Sequence, residues 1–126
     1  MNNLNLSATI STPSVEFDAA AGSLTIAGES YPENAFEFYK PLLGWVRDYL
    51  ASSDVAVTAN LALSYLNTSS IKSIMDLLDL LEAAHVKGRT VSLYWRYHKE
   101  NDRALEMIEE FREEVTLPFF IAPIAE

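Results

Sequence analysis

The chain reads as an α/β fold, a mixed β-sheet with helices packed against it, its elements in the order ββαβαβαβ. Two features carry that reading. Near the N-terminus two short stretches alternate in strand fashion around a small-residue turn, and downstream three stretches of helical spacing are each followed by an apolar strand pattern or precede one. Crossovers of this kind are right-handed in nearly all known proteins and pair the strands they join in parallel, so the sheet is expected to be mixed. No linker, repeat or low-complexity segment divides the 126 residues, so residues 1–126 are expected to form one domain that buries about two-thirds of its unfolded surface.

The hairpin is placed at Ser14-Val15-Glu16-Phe17 and Leu24-Thr25-Ile26-Ala27, around the turn from Asp18 to Ser23. Beyond Gly28 to Asn34, apolar side chains recur at Tyr39, Leu42, Leu43, Val46, Tyr49 and Leu50, giving a first helix that closes near Ser52-Ser53-Asp54. Ser30 and Asn34 are its candidate caps, while Pro41 and Gly44 argue for a kink or a later start. Val55 to Leu66 is a long apolar run with Val57, Ala59, Leu61, Leu63 and Tyr65 on one side and smaller residues on the other. Such a run suggests a central strand covered on at least part of both faces. A second helix from about Thr68 to Val86 ends at Lys87-Gly88, a basic residue followed by glycine. Thr90 to Tyr97 is the next strand, and Asn101 to Glu114 a charged third helix using Leu105, Ile108, Phe111 and Val115. Leu117 to Ile121 is the last strand, for which Pro118 and Pro123 favour an edge position or a short run.

With 49% hydrophobic and 11% aromatic residues the chain is too apolar for disorder, yet no window reaches the roughly 18 uninterrupted apolar residues of a membrane span. Met1 to Leu6 lack the basic and apolar regions of a secretory signal. The absence of cysteine excludes disulfides, thiolate catalysis and cysteine metal sites, and fits a cytoplasmic location. Eighteen acidic residues against 9 basic ones give a net charge of −9, which repels phosphate backbones and anionic membranes. Neither nucleic-acid binding nor direct membrane insertion is expected, and a basic patch on a protein partner is the better electrostatic match.

Catalytic patterns are scarce. A nucleophile–histidine–acid set would have to use His85, late in the second helix, or His98, just past a strand, and neither sits in a recognisable signature. Two isolated histidines without cysteine do not make a zinc site, and the dispersed glycines offer no phosphate-cradling loop. Glu106, Glu109, Glu110, Glu113 and Glu114 recur at helical spacing but are interleaved with Arg103 and Arg112, as on a solvated helix face. Trp45 and Trp95 are expected in the core. These grounds predict no enzymatic activity, no cofactor and no metal. A small enzyme or ligand-binding domain would instead show a deep polar pocket converging on His85 or His98.

The stretch Asn67-Thr68-Ser69-Ser70-Ile71-Lys72 stands apart, because a hydroxyl-rich turn there joins the long strand to the second helix. A helix N-terminus offers free backbone N–H groups and the positive end of the dipole, which suits a regulatory phosphate on one of those hydroxyls. The same residues also fit an ordinary N-cap. On a helical wheel Ile71, Ile74, Met75, Leu78 and Leu81 form one packing stripe, with Leu77 and Leu80 well round its side and Lys72, Asp76 and Asp79 opposite, beside Thr68. Leu77 and Leu80 either meet a partner or are covered by neighbouring helices, and with Lys72 and Asp76 they are the candidate partner contacts. A phosphate on Thr68 would add about −1.5 to −2 charges, which the helix terminus stabilises by about 0.3–2 kcal/mol. Burying an unpaired dianion under a partner costs several kcal/mol, so phosphorylation would switch binding while sparing the fold.

The strand–hydroxyl turn–helix arrangement resembles the anti-sigma factor antagonists of the STAS class. More specifically, Gly28-Glu29-Ser30-Tyr31-Pro32-Glu33-Asn34 together with Leu63-Ser64-Tyr65-Leu66-Asn67-Thr68-Ser69-Ser70 is similar to SiaC-type regulatory phosphoproteins of bacteria, over nearly the whole chain and with no departure in these motifs. The resemblance implies a STAS-like, non-enzymatic partner switch. A cognate serine/threonine kinase would phosphorylate Thr68, with Asn67, Ser69 and Ser70 shaping the loop, and a PP2C-type phosphatase would reverse it. The unphosphorylated form would bind and activate a diguanylate cyclase, raising cyclic di-GMP and promoting biofilm or aggregation. An anti-sigma factor antagonist, acting on a sigma factor through an anti-sigma kinase, is the alternative with the same fold. The choice of Thr68 over Ser69 and Ser70 comes from the resemblance.

Overall fold

The alternating residues of the N-terminal hairpin bury Val15 and Phe17 from strand β2 (Ser14–Asp18) and Leu24 and Ile26 from strand β3 (Ser23–Ser30), paired antiparallel with Phe17 opposite Leu24. The turn between them depends on Gly22, whose φ is +67° and whose position leaves no room for a side chain: an added Cβ would lie 2.2 Å from the Ala56 carbonyl oxygen. The other elements are strand β1 (Leu4–Leu6), helix α1 (Ala35–Ser52), strand β4 (Val57–Leu66), helix α2 (Thr68–Val86), strand β5 (Val91–Tyr97), helix α3 (Asp102–Glu113) and strand β6 (Phe119–Pro123). They are seen in a computed structural model that describes residues 1–124.

The sheet is six-stranded in the order β1-β2-β3-β4-β5-β6, antiparallel from β1 to β3 and parallel from β3 to β6. The α/β class and the mixed sheet agree with expectation. β1 is a strand more than the expected order. Its three residues are too few to show alternation, and it forms by pairing Leu4 with Phe17 and Leu6 with Val15. β6 lies at the sheet edge, as Pro118 before it and Pro123 at its end favour.

Because strands β3 to β6 advance in one direction, right-handed crossovers set all three helices on one face. Side chains agree: Trp45 of α1 meets Phe17 at 5.2 Å between ring centroids, and Phe111 of α3 stacks on Trp95 at 5.3 Å. One buried cluster runs beneath them, through Val15, Ile26, Leu61 and Trp95. The second face of β4 carries Thr58, Asn60, Ala62 and Ser64, all half-buried, and toward its end Ala62 and Ser64 line a cavity with Asn101 and Ala104 at the start of α3. Among the described residues no helix is long and apolar enough to cross a membrane.

Helix α1 starts early rather than late. Asn34 caps it, its Oδ1 accepting from Glu37 N at 3.1 Å, and the helix runs on past Pro41, which sits on an exposed side. In α2 the buried set is Ser70, Ser73, Ile74, Leu77, Leu78 and Leu81. That arc is rotated toward α1 from the expected stripe. Leu77 is only 3% exposed and Leu80 half-buried, whereas Ile71, placed in the packing stripe by its spacing, is 39% exposed. The cause is that α2 packs on α1 as well as on the sheet, so Leu77 faces the core and offers no surface to a partner.

Candidate functional site

Strand β4 ends at Leu66 and α2 begins at Thr68, leaving Asn67 alone to join them. Its backbone is extended (φ −74°, ψ 170°), and its side-chain oxygen accepts from Ser70 N at 3.0 Å, which makes it the N-cap. The same side chain donates through Nδ2 to Pro32 O at 3.2 Å, while Asn67 N donates to Ser30 O at 2.9 Å. The turn is thereby fastened to the segment that follows β3, joining the two sequence motifs in space.

A bulge sets which side chains emerge here. Between β3 and β4 the register passes from Gly28–Leu63 to Glu29–Tyr65, so Ser64 is an extra residue on β4. The alternation reverses across it: Tyr65, expected on the inner side with Leu63, is 53% exposed, and Leu66 turns inward at 5%. Gly28 supplies the matching backbone at φ +123°. Tyr65 then lies edge-on to Tyr31, centroids 6.1 Å apart, as an exposed aromatic pair beside the turn.

The three hydroxyls of the turn have different fates. Thr68 and Ser69 are exposed, and Ser69 Oγ donates to Asn67 Oδ1 at 3.4 Å. Ser70 is wholly buried, its Oγ 2.8 Å from Ser30 Oγ, which lies in turn 2.7 Å from the Tyr39 hydroxyl. Burial raises the Tyr39 pKa above its ordinary 10.0, an effect that the hydroxyls of Ser30 and then Ser70 oppose. This relay ties β3, α1 and α2 together and withdraws Ser70 from solvent. Ser30 and Tyr39 carry no sequence signal for it, since the pairing spans 40 residues.

Of the other candidate residues, Lys72 is exposed and paired with Asp76, Nζ to Oδ1 2.7 Å, one turn along α2 from Thr68. The pair is solvent-facing and contributes at most about 0.5 kcal/mol to the helix. The histidines stand apart from the turn and from each other. His85 lies late in α2 near Glu82, whose carboxylate pKa is lowered chiefly by the Thr116 hydroxyl that bonds it at 2.6 Å. His98 lines a cavity of about 160 Å³ with Arg96 and Asn101 beyond the end of β5. No group of three or more metal-ligating side chains assembles among the described residues.

Comparison with known proteins places this geometry. A crystal structure of apo-SiaC from Pseudomonas aeruginosa superposes with a TM-score of 0.94 at 47% identity, covering 97% of this chain and 99% of that one. A chain in the crystal structure of the diguanylate cyclase SiaD in complex with its activator SiaC, from the same organism, matches with a TM-score of 0.93 at 47% identity over 96% of this chain and 99% of that one. A Pseudomonas aeruginosa protein of uncharacterised function, from strain UCBPP-PA14, is 48% identical over 121 residues, 96% of each chain. The family model for SiaC family regulatory phosphoproteins matches residues 6–124, and the capped hydroxyl turn lies within that span. The chain belongs to the SiaC family of regulatory phosphoproteins.

Proposed function

We propose that this chain is a non-enzymatic, cytoplasmic partner switch whose unphosphorylated form binds and activates a diguanylate cyclase, and whose phosphorylation on Thr68 blocks that binding. The observation that carries the proposal is the exposure of Thr68 in the first turn of a capped helix, beside the exposed pair Tyr31 and Tyr65. A kinase can reach this hydroxyl without unfolding the turn, whereas the buried, hydrogen-bonded Ser70 is withheld. Ser69 is also exposed, and the resemblance to the family favours Thr68. A phosphate at this position meets the helix N-terminus, so the fold tolerates it, while a partner covering the turn would have to bury a dianion. The cognate kinase and a PP2C-type phosphatase set the state of the switch. An anti-sigma antagonist would share the fold, and the solved complex of a family member with a cyclase favours the cyclase reading.

Capture of the cognate cyclase on immobilised variants tests the switch. Thr68→Ala is expected to retain and activate the cyclase, and Thr68→Asp to retain it far more weakly. Equal capture by both variants would sink the proposal.

A further inference from the structure

Thr68 and Ser69 stand exposed between two residues that are fastened to the core. On one side the Asn67 amide donates to the Ser30 carbonyl at 2.9 Å and the Asn67 side chain to the Pro32 carbonyl at 3.2 Å. On the other, Ser70 Oγ lies 2.8 Å from Ser30 Oγ. Ser30 therefore grips the turn twice, with its backbone before Thr68 and with its side chain after it. Its hydroxyl is held in turn by the Tyr39 hydroxyl, 2.7 Å away on the second turn of α1.

This grip acts where helices are weakest, since a first turn has no preceding carbonyls to bond and frays. Thr68 and Ser70 lie two residues apart in α2, about 200° round the helix, so fixing Ser70 inward fixes Thr68 outward. Ser73 adds a bond from the next turn, its Oγ donating to the Ser69 carbonyl at 3.3 Å. Ser30, Tyr39 and Ser70 are each 1% exposed or less, so water does not compete for the bonds among them.

We propose that Ser30 and Tyr39 are positioning residues for the phosphoacceptor, holding the first turn of α2 so that Thr68 Oγ1 meets the kinase in one orientation. The inference rests on the reading of Thr68 as the phosphorylated residue, and names the part of the fold that prepares it. In the transfer Thr68 Oγ1 bonds to the γ-phosphorus of a nucleoside triphosphate held by the kinase. The bond from that phosphorus to the bridging oxygen breaks, a nucleoside diphosphate leaves, and the hydroxyl proton passes to a base of the kinase. The attacking and leaving oxygens must lie in line, and a misplacement of about 1 Å costs as much as about a hundredfold in rate. A loosened turn is still recognised by the kinase and reacts more slowly.

Steady-state phosphorylation of the full chain by the cognate kinase with magnesium ATP tests this in wild type, Tyr39→Phe, Ser70→Ala and the double variant. Each single variant is expected to lower kcat about tenfold while KM stays within about twofold, the split that misplacement rather than lost recognition produces. The double variant should be little slower than the slower single one, because a chain of bonds broken at either end frees the same turn. Ile108→Val, a core substitution in α3, controls for lost stability and should leave both constants unchanged. The Ile71 amide, bonded to the Asn67 carbonyl, reports the turn directly, and its hydrogen exchange should quicken about tenfold in Tyr39→Phe but not in Ile108→Val. Unchanged kcat in both single variants, a change confined to KM, losses that multiply in the double variant, or equal slowing and equal exchange in Ile108→Val overturns the positioning role and leaves Thr68 as the phosphoacceptor. If the kinase does not modify Thr68 in the wild-type chain, the switch reading falls as well.

Discussion

Asn67 holds the turn by two different bonds, and its removal separates the contribution of the cap from that of packing. Asn67→Ala leaves Ser70 N without its side-chain acceptor and Pro32 O without its donor. A loss of about 1–2 kcal/mol is expected from a urea unfolding midpoint, in the upper range for a cap because a tether goes with it. The relay gives a pH-dependent test. Because burial holds the Tyr39 pKa above its ordinary 10.0, the fold favours the neutral hydroxyl, so its contribution is full below that pH. It is lost as pH rises through the folded-state pKa, since the unfolded chain ionises first. Tyr39→Phe should therefore be about 0.5–1.5 kcal/mol less stable at neutral pH, with the gap to wild type narrowing above pH 10 in urea titrations. The candidate cap at Asn67 and the exposed Thr68 were readable from local chemistry. The burial of Ser70 was not, because its partner Ser30 is far away in the chain and nothing local distinguishes it from Ser69.

At the scale of elements, spacing located every helix and the strands from β2 onward, and it failed where tertiary contacts decide. The phase of α2 is the clearest case: its period was right, but the presence of α1 along one side swings the buried arc to include Leu77. Leu77→Ala is accordingly expected to destabilise by about 2–5 kcal/mol, a core-sized loss, in thermal or urea unfolding. A value near zero would restore Leu77 to the surface. Tyr65 shows the same lesson for strands. Period-two alternation put it inside, and a single bulged residue at Ser64 turned it outward beside the hydroxyl turn. Bulges have no signal in one sequence when no glycine or proline marks the bulged strand itself, and here the positive-φ glycine lies on the neighbouring β3.

For the whole molecule, the three helices lie together over one face of the sheet. The core beneath α1, α2 and α3 is continuous, so a modification at the exposed start of α2 does not reach it. A stoichiometric phosphate on Thr68 should shift the unfolding midpoint by no more than about 2 kcal/mol equivalent, because it meets a capped helix terminus and solvent. Under the proposed switch its effect falls on association, where each 1.4 kcal/mol is a factor of about ten. The most direct measurement is calorimetric titration of the cognate diguanylate cyclase with the chain purified in two forms, unmodified and phosphorylated on Thr68, with cyclic di-GMP synthesis followed in the same samples. The unmodified form should bind and raise synthesis, and the phosphorylated form should bind at least about a hundredfold more weakly and raise nothing, which corresponds to burial of the dianion costing several kcal/mol. Equal affinity and equal activation by the two forms would contradict a switch at Thr68.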